Sequence, residues 1–286
     1  MSTGYLQRAI AEYDKDFISR WRRVFDEHRL SENEDRLWLA GPTSYIFNFG
    51  GEKFAVDPQI RRVEDREILL PGLSEEMKAV SFVLFTHDHG DHMCVPLMKA
   101  LKDTPIIWYM PKNARRDYIE ASEIKEENIV YLSDGDSVSI GKLKINAHYT
   151  PHGKPGGVFP DQCGYELIAP SGRVFIPGDV RDYDYRGYSG LGKVDLCLSH
   201  LWAGDNSVDE EEYLPLMEQY ADFTAWINAD RYFLCHLYEI GRKEHNMWHE
   251  GHARQAAKML KERLSGAEIT VPRIGDSFSL NFGDKS

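Results

Sequence analysis

The segment that decides the fold is Thr86-His87-Asp88-His89-Gly90-Asp91-His92. Residues 80–85, which precede it, are nearly all apolar and predict a buried strand. Three histidines and Asp91 therefore follow the end of a strand, and Gly90 lets the backbone turn so that they converge. Imidazole binds Zn, Mn and Fe, and a carboxylate adds affinity for harder cations. Burying so many polar groups without an ion would require a partner for each, so the segment predicts a metal site.

The composition excludes several classes of protein. The 286 residues carry 34 Lys+Arg and 46 Asp+Glu, and the net charge of −12 argues against a nucleic-acid-binding role. No apolar run approaches the roughly 18 residues of a membrane span, and the N-terminal segment lacks the apolar stretch of a secretory signal. We therefore expect a cytoplasmic protein without a membrane span.

The four cysteines are widely spaced, and we expect them to be reduced thiols. They are Cys94, Cys163, Cys197 and Cys235.

Short apolar runs separated by Gly, Pro and Asp predict an α/β chain. Residues 45–49 and 54–56 predict a hairpin, because Gly50-Gly51 between them favours a tight turn. Further strands are predicted at 80–85, 106–110, 130–132, 137–140, 143–149, 165–169, 173–176, 195–198 and 232–235, with a last pair near the end of the chain. Helices are predicted at 5–30, 93–102, 112–121, 210–227 and 252–264. This mixture predicts two sheets with helices on their outer faces.

The first predicted helix suggests a division of the chain. Its apolar residues recur at three- and four-residue steps, which indicates one buried face. They are Leu6, Ile10, Tyr13, Phe17 and Trp21. We expect residues 1–36 to form a helical extension that packs on a main domain of residues 37–286.

Further metal-capable residues follow along the chain, each beside a predicted strand end. They are His152 in Thr150-Pro151-His152-Gly153, Asp179 in Pro177-Gly178-Asp179, and His236 in Phe233-Leu234-Cys235-His236. Together with segment 86–92 and with Asp57, which ends the hairpin strand, this order of motifs resembles the metallo-β-lactamase superfamily over about residues 37 to 280. Within this superfamily, the sequence is most similar to the L-ascorbate-6-phosphate lactonases. It is less similar to N-acyl phosphatidylethanolamine phospholipase D. His152 departs from the lactonase pattern, which carries an aspartate at that motif.

The resemblance implies an α/β fold of four layers, an αβ/βα sandwich, with two divalent metal ions, Zn or Mn in preference to Fe. The ligands implied for the first metal are His87, His89 and His152. Those implied for the second are Asp91, His92 and His236, with Asp179 as the bridge and Asp57 as a support. The implied activity is that of a binuclear hydrolase, in which a metal-bound hydroxide attacks a lactone, ester or phosphoester of a small soluble substrate.

For several positions the sequence allows more than one ligand or more than one role. His148 lies four residues before His152 and competes for the third motif, although His152 follows the strand in a Pro–Gly loop and is preferred. Asp88 is expected to point away from the metals and to orient a ligating histidine. His200 is either a proton donor or substrate contact facing the metals, or a loop histidine with a backbone partner. The catalytic residues predicted are Asp91, Asp179 and His200.

Contacts with the substrate are less determined by the sequence. Arg181 suits a phosphate or carboxylate group, and Tyr183 and Tyr185 follow it closely. The sequence allows three roles for a cluster of residues that follows His236: a pocket wall, a solvated turn or a separate metal site. The members of this cluster are His245, Trp248, His249 and His252. A basic patch expected to be an exposed helix face consists of Lys112, Arg115 and Arg116.

The expected partner is a small-molecule substrate, phosphorylated or otherwise anionic, and the oligomeric state is left open. Two alternative functions remain: a phosphodiesterase of the N-acyl phosphatidylethanolamine phospholipase D-like branch, and an iron-binding redox protein on the same fold. A metal-holding scaffold without turnover is disfavoured, because every motif retains its ligand.

Overall fold

The structure, a computed structural model, describes residues 3–31, 34–60, 66–153, 162–239 and 242–283. Side chains are described from residue 16 onward in the first helix and from residue 71 onward in the second. The side chains of Leu6, Ile10 and Tyr13, expected on the buried face of the first helix, lie outside this described part.

Within this part the chain forms fourteen β-strands and six α-helices. The strands are β1 Arg36–Leu39, β2 Tyr45–Phe49, β3 Glu52–Val56, β4 Phe82–Leu84, β5 Ile107–Pro111, β6 Ile129–Leu132, β7 Ser137–Ile140, β8 Leu143–Thr150, β9 Gln162–Ala169, β10 Gly172–Ile176, β11 Val194–His200, β12 Ala229–Cys235, β13 Glu268–Thr270 and β14 Ser277–Ser279. The helices are α1 Thr3–Leu30, α2 Arg66–Met77, α3 Val95–Ala100, α4 Arg116–Ser122, α5 Glu210–Trp226 and α6 Glu250–Arg263.

The strands form two mixed sheets of seven strands each. The first has the order β14-β1-β2-β3-β4-β5-β6, and the second has the order β13-β12-β11-β10-β9-β8-β7. Strands β3 to β6 run parallel to one another, as do strands β10 to β13. Each sheet therefore has a set of parallel strands whose carboxyl ends lie at the same edge.

Three apolar cores separate four layers. The first lies between the outer face of the first sheet and helices α1 to α4, the second lies between the two sheets, and the third lies between the second sheet and helices α5 and α6. This arrangement confirms the predicted αβ/βα sandwich.

Strand β11 shows why the buried strands are apolar on both faces. Leu196 and Leu198 point into the core between the sheets, whereas Cys197 points into the core beneath α5 and α6. Successive side chains of a strand point to opposite faces, and here both faces are covered. The same reason explains the nearly continuous apolar run at 80–85.

Helix α1 contributes its described apolar face to the first core. Phe17, Trp21, Val24 and Phe25 are all buried there, and the indole Nε1 of Trp21 donates to the backbone oxygen of Leu73 at 3.2 Å. The division of the chain at residue 36 stays a prediction.

Several element boundaries differ from the sequence-based expectation. Helix α2 was not predicted, since Pro71 lies inside it and proline in a helix interior is unfavourable. Helix α3 begins at Val95 rather than at Met93, because His92 and Met93 still donate to the backbone oxygen of His89. The last two strands do not pair with each other: β13 joins β12, and β14 joins β1 in the other sheet.

No helix in the described ranges combines the length and the apolar character needed to cross a membrane.

Candidate metal centre

The expected metal-binding residues gather where strands of both sheets end. His87 to His92 follow β4, His152 follows β8, and Asp179 follows β10. His200 is the last residue of β11, and His236 comes directly after β12. Because β10, β11 and β12 are parallel neighbours, their carboxyl ends bring side chains that are distant in sequence to one edge.

Three groups of side chains at this edge could hold an ion, and the third, which consists of His87, His92 and Asp179, joins the other two. The first group consists of His87, His89 and His152, and the Nε2 atom of His152 lies 3.0 Å from the Nδ1 atom of His89. The second group consists of Asp91, His92 and His236. Within it, the Oδ2 atom of Asp91 lies 3.7 Å from the Nε2 atoms of both histidines.

Asp179 lies between the two groups. Its Oδ2 atom is 4.0 Å from the Nε2 atom of His87 in the first group. The same oxygen is 3.5 Å from the Nε2 atom of His92 and 3.4 Å from that of His236 in the second group. A carboxylate in this position can contact ions on both sides.

The donor atoms of the centre fit divalent cations. The Nε2 atoms of His87, His92 and His236 are buried and have no hydrogen-bond partner among the described residues, although buried polar atoms are nearly always paired. Imidazole nitrogens with carboxylate oxygens form a donor set that suits Zn, Mn or Fe. The unpaired nitrogens are therefore explained by ions that they would bind.

The electrostatics of the centre favour protonation states in which the side chains of the first group and Asp179 can bind a cation. Burial alone would raise the pKa of Asp179, but His236 and His92 hold it well below its usual range. Burial lowers the pKa of His87, and it lowers that of His152 to about 3. At neutral pH, Asp179 is thus anionic, and these two imidazoles are neutral with a free lone pair.

In the second group, neighbouring carboxylates raise the pKa of the histidines. Burial would lower the pKa of His92, but Asp179 and Asp57 raise it well above its usual value. Asp179 likewise raises the pKa of His236 against the effect of burial. The carboxylates thus favour positive charge at this place, which is a second reason why cations fit here.

Asp57 supports the metal-binding loop from the first sheet. Its carboxylate accepts the backbone N–H of Thr86 at 2.8 Å, the Thr86 hydroxyl at 2.6 Å, and Nδ1–H of His92 at 2.7 Å. The last contact fixes the tautomer of His92 and leaves its Nε2 atom available as a ligand. Asp57 has a φ of +47°, a conformation that non-glycine residues rarely adopt and that often marks functional sites.

The backbone around His236 is also held in an unusual conformation. His236 has a φ of +67°, and its N–H donates to the backbone oxygen of Pro42 at 3.0 Å. His152 is fixed through its ring, since Nδ1–H donates to the backbone oxygen of Asp179 at 2.7 Å. Each half of the centre is thus tied to a neighbouring loop.

His200 is fully buried, and both of its ring nitrogens are bonded to side chains. Nδ1–H donates to the Oδ1 atom of Asp179 at 2.7 Å, and the Nε2 atom lies 2.8 Å from the hydroxyl of Tyr45. The hydroxyl therefore donates to Nε2, because Nδ1 carries the proton. One of the two expectations for His200 was a backbone partner. In the structure its ring contacts two side chains instead.

The structure separates the two candidates for the third motif. His148 lies on β8, and its Nε2 atom is 3.7 Å from the Oε2 atom of Glu166, outside the metal-capable groups found among the described residues. His152 lies in the first group. The carboxylate of Asp88 accepts the backbone N–H of Arg115, the N-cap of α4, at 2.9 Å, and the orientation of a histidine by Asp88 stays a prediction.

The later histidine cluster begins a helix. His249 is the N-cap of α6, and its Nδ1 atom accepts the N–H of Gly251 at 3.0 Å. His252 accepts the N–H of His249 at 3.3 Å, and its Nε2–H donates to the backbone oxygen of Ser207 at 2.8 Å. These contacts describe a capping box, and they account for two of the histidines without a separate metal.

Sequence reasoning missed several residues at the centre. Tyr45 reaches His200 from the other sheet, and Glu239 places its Oε2 atom 3.6 Å from the Nε2 atom of His236. The Oε1 atom of Glu239 accepts the Nε–H of Arg242 at 2.6 Å. The only sequence signal for Glu239 was a carboxylate three residues after a ligand, which is too common to single out.

Comparison with known proteins identifies the family. Residues 53–237 match the family described as the beta-lactamase superfamily domain, and this range covers more than half of the chain. The chain belongs to the beta-lactamase superfamily, as the sequence resemblance predicted.

Individual relatives are more distant. A UPF0173 protein from Pyrococcus abyssi is 27% identical over 184 residues, which cover 64% of this chain and 76% of that protein. CmlA, a diiron beta-hydroxylase from Streptomyces venezuelae, has a similar structure with a TM-score of 0.63 at 14% identity, over 86% of this chain and 54% of CmlA. Igni18, a metallo hydrolase from Ignicoccus hospitalis, has a TM-score of 0.58 at 14% identity, over 88% of this chain and 100% of Igni18.

These structural likenesses show a shared fold. The chain spans about half of the length of CmlA. The similarity to the lactonase branch stays a prediction.

Proposed function

We propose that this chain is a binuclear metal-dependent hydrolase of a small substrate. The observation that carries the proposal is the position of Asp179, whose Oδ2 atom faces the Nε2 atoms of His87 at 4.0 Å and His236 at 3.4 Å. One carboxylate oxygen thus faces a histidine from each of two separate metal-capable groups. Such an arrangement is typical of two ions that share a bridging ligand.

The ligand roles follow from the two groups. The residues that would hold the first ion are His87, His89 and His152. Those that would hold the second are Asp91, His92 and His236, with Asp179 as the bridge. When bound, two divalent cations lower the pKa of a water molecule and polarise the substrate oxygen.

The chain's own residues supply the orientation that this chemistry needs. Asp57 fixes the ring of His92, and His200 holds the second oxygen of Asp179, so that Oδ2 stays directed at the centre. Asp91 is 13% exposed at its side chain and is anionic, because His92 and His236 hold its pKa below its usual range against the effect of burial. A carboxylate of this kind can accept a hydrogen bond from the attacking water and orient it.

The finer parts of the proposal concern the metal and the substrate. Zn or Mn is the proposed pair of ions, because histidine and aspartate ligands suit both. The proposed substrate class is a lactone, ester or phosphoester carrying an anionic group, acted on in the cytoplasm. We further propose that residues 1–36 belong to a helical extension, since the described face of α1 is buried against the first sheet.

The test is hydrolysis by protein that is stripped of metal and reloaded separately with Mn, Zn or Fe. The substrates are one sugar-phosphate lactone and one activated phosphodiester, and the metal-free protein is the control. We expect turnover of at least one substrate with Mn or Zn and its loss when a chelator is added. Absence of turnover of both substrates with every metal would contradict the proposed hydrolase.

The same experiment separates the alternative functions. Turnover of the phosphodiester alone would favour the phosphodiesterase alternative. Oxygen consumption by the Fe-loaded protein, without hydrolysis, would favour the redox alternative, for which the diiron beta-hydroxylase CmlA offers a likeness of fold.

A further inference from the structure

Beside the metal centre, two buried nitrogen donors have no hydrogen-bond acceptor among the described residues. They are the Nε atom of Arg181 and the indole Nε1 atom of Trp202. Trp202 is 7% exposed, and the guanidinium of Arg181 lies over its ring, 4.9 Å from the ring centroid. Buried N–H groups are costly when unpaired, so two of them side by side indicate that an acceptor from outside the described residues belongs there.

The patch is continuous with the first half of the metal centre. Arg181 follows Asp179 by two residues, and its backbone N–H donates to the oxygen of Pro151 at 3.0 Å, directly before His152. Trp202 follows His200, which bonds to Asp179.

The charge of Arg181 is not balanced by an ion pair within the described part of the chain. By contrast, the neighbouring Arg186 on the same loop donates to the backbone oxygens of Tyr183 at 2.7 Å and Tyr185 at 2.9 Å, while its guanidinium also lies over an indole ring, that of Trp226. A guanidinium placed beside a centre that holds two cations is repelled by them unless an anion lies between. Arginine binds planar and tetrahedral oxyanions well, because its donors form a fixed fork.

We propose that Arg181 and Trp202 bind an oxyanion group of the substrate, a phosphate or a carboxylate, next to the metal centre. The inference rests on the proposed function for its position beside two metals. It assigns the substrate class: a small molecule whose hydrolysed bond lies within reach of a negatively charged group. Arg181 and Trp202 fix that group, so that the bond is held at the centre in one orientation.

The test measures binding of inorganic phosphate and, separately, acetate to metal-loaded protein by calorimetry. The variants are Arg181→Gln, which removes the charge, and Trp202→Phe, which removes the indole N–H and keeps an aromatic ring. Arg186→Gln is the matched control, because it removes a similar arginine–indole contact from the same loop. Metal content and thermal unfolding of each variant are measured alongside.

We expect Arg181→Gln to weaken phosphate binding on the order of 10- to 100-fold, Trp202→Phe to weaken it several-fold, and Arg186→Gln to leave it unchanged, all at unchanged metal content. A similar loss for acetate would indicate a carboxylate-tolerant site, and a loss for phosphate alone would indicate a phosphate site. If Arg181→Gln is poorly folded, Arg181→Lys and Trp202→Phe still test the site.

The proposal is overturned if phosphate binds to Arg181→Gln and Trp202→Phe as it does to the wild type. Its failure is distinguishable from that of the proposed function. Hydrolysis with unchanged anion affinity in the variants rejects the oxyanion site alone, whereas Arg181-dependent phosphate binding without hydrolysis rejects the hydrolase and retains the site.

Discussion

At the scale of single residues, the position of Asp179 depends on a chain of hydrogen bonds that crosses the sandwich. Tyr45 belongs to β2 in the first sheet, and His200 ends β11 in the second. The Tyr45 hydroxyl lies 2.8 Å from the Nε2 atom of His200, whose Nδ1–H donates to Asp179. His200 also stacks on His236, with ring centroids 5.3 Å apart. His200 is therefore a positioning residue for the proposed bridge.

Removing the hydroxyl of Tyr45 should test this role. Tyr45→Phe keeps the ring but leaves the Nε2 atom of His200 without its donor, and a lost hydrogen bond of this kind is worth about 1 kcal/mol. We expect kcat to fall roughly 5- to 10-fold with little change in KM, because the substrate does not touch the buried hydroxyl. The measurement is steady-state kinetics on the substrate identified by the reloading experiment, together with metal content.

A suitable control is Tyr165→Phe, which removes another fully buried hydroxyl between the sheets, one that donates to the backbone oxygen of Phe85. If both variants lose kcat equally, the effect reflects general loss of packing. A change in KM alone would contradict a positioning role for Tyr45.

Single residues differ in how well the sequence predicts them. His87, His89 and His92 are recognisable because their spacing is local and follows a strand. Tyr45 is not, because its partner lies 155 positions away and is reached only when the two sheets pack together. A tyrosine in a hairpin strand carries no sign of that contact.

At the scale of elements, helix α1 is held to the first sheet partly by His28. This residue is fully buried, and its Nε2–H donates to the backbone oxygen of Phe47 at 3.1 Å. Its ring packs edge-on against that of Trp38, with centroids 5.4 Å apart. Burial lowers the pKa of His28 from 6.5 to about 4, so the imidazole stays neutral inside the protein.

This shift predicts a pH dependence of stability. Between pH 6.5 and about 4 the unfolded chain binds a proton that the folded protein does not, so the contribution of His28 to stability is present above pH 6.5 and is lost as pH falls through this window. His28→Gln keeps a donor but does not titrate. Relative to pH 8, the wild type should lose about 2 kcal/mol more stability at pH 5 than the variant does.

The measurement is denaturant unfolding of both proteins at pH 8 and pH 5. His245→Gln serves as the control for the loss of a histidine, because the side chain of His245 is exposed. An identical pH dependence for His28→Gln and the wild type would show that His28 is not held neutral by burial.

Among the elements, strands with apolar runs were predictable and α2 was not. The run at 106–110 places β5 within a residue of its bounds, Ile107–Pro111, because both of its faces are covered and nearly every position is apolar. Helix α2 contains Pro71, which argues against a helix when only the sequence is considered. The structure places Leu73 and Met77 from this helix in the first core, so tertiary packing outweighs the local preference.

At the scale of the whole molecule, the candidate centre exists only when the sandwich is assembled. The first sheet supplies the 86–92 loop and Asp57, and the second sheet supplies His152, Asp179 and His236. Ions bound there would therefore link the two sheets and stabilise the folded state by mass action. The order of the motifs along the chain predicted this assembly through a family resemblance, but the distances between ligands could only come from the packing of the sheets.

We propose that the chain holds two metal ions bridged by Asp179, and the metal stoichiometry of the protein tests this bridge. The measurement is the metal content per chain, by elemental analysis, after reloading with Zn or Mn and removal of free ions. The variants are Asp179→Asn and His152→Ala, with His148→Ala and Asp184→Asn as controls from β8 and from the exposed part of the loop after Asp179.

We predict two ions per chain in the wild type and in both controls, and a loss of about one ion or more in Asp179→Asn and His152→Ala, because each removes a ligand from the centre. Two ions retained by Asp179→Asn would contradict the bridge. Loss of metal from His148→Ala, with full metal in His152→Ala, would show that the other histidine is the ligand.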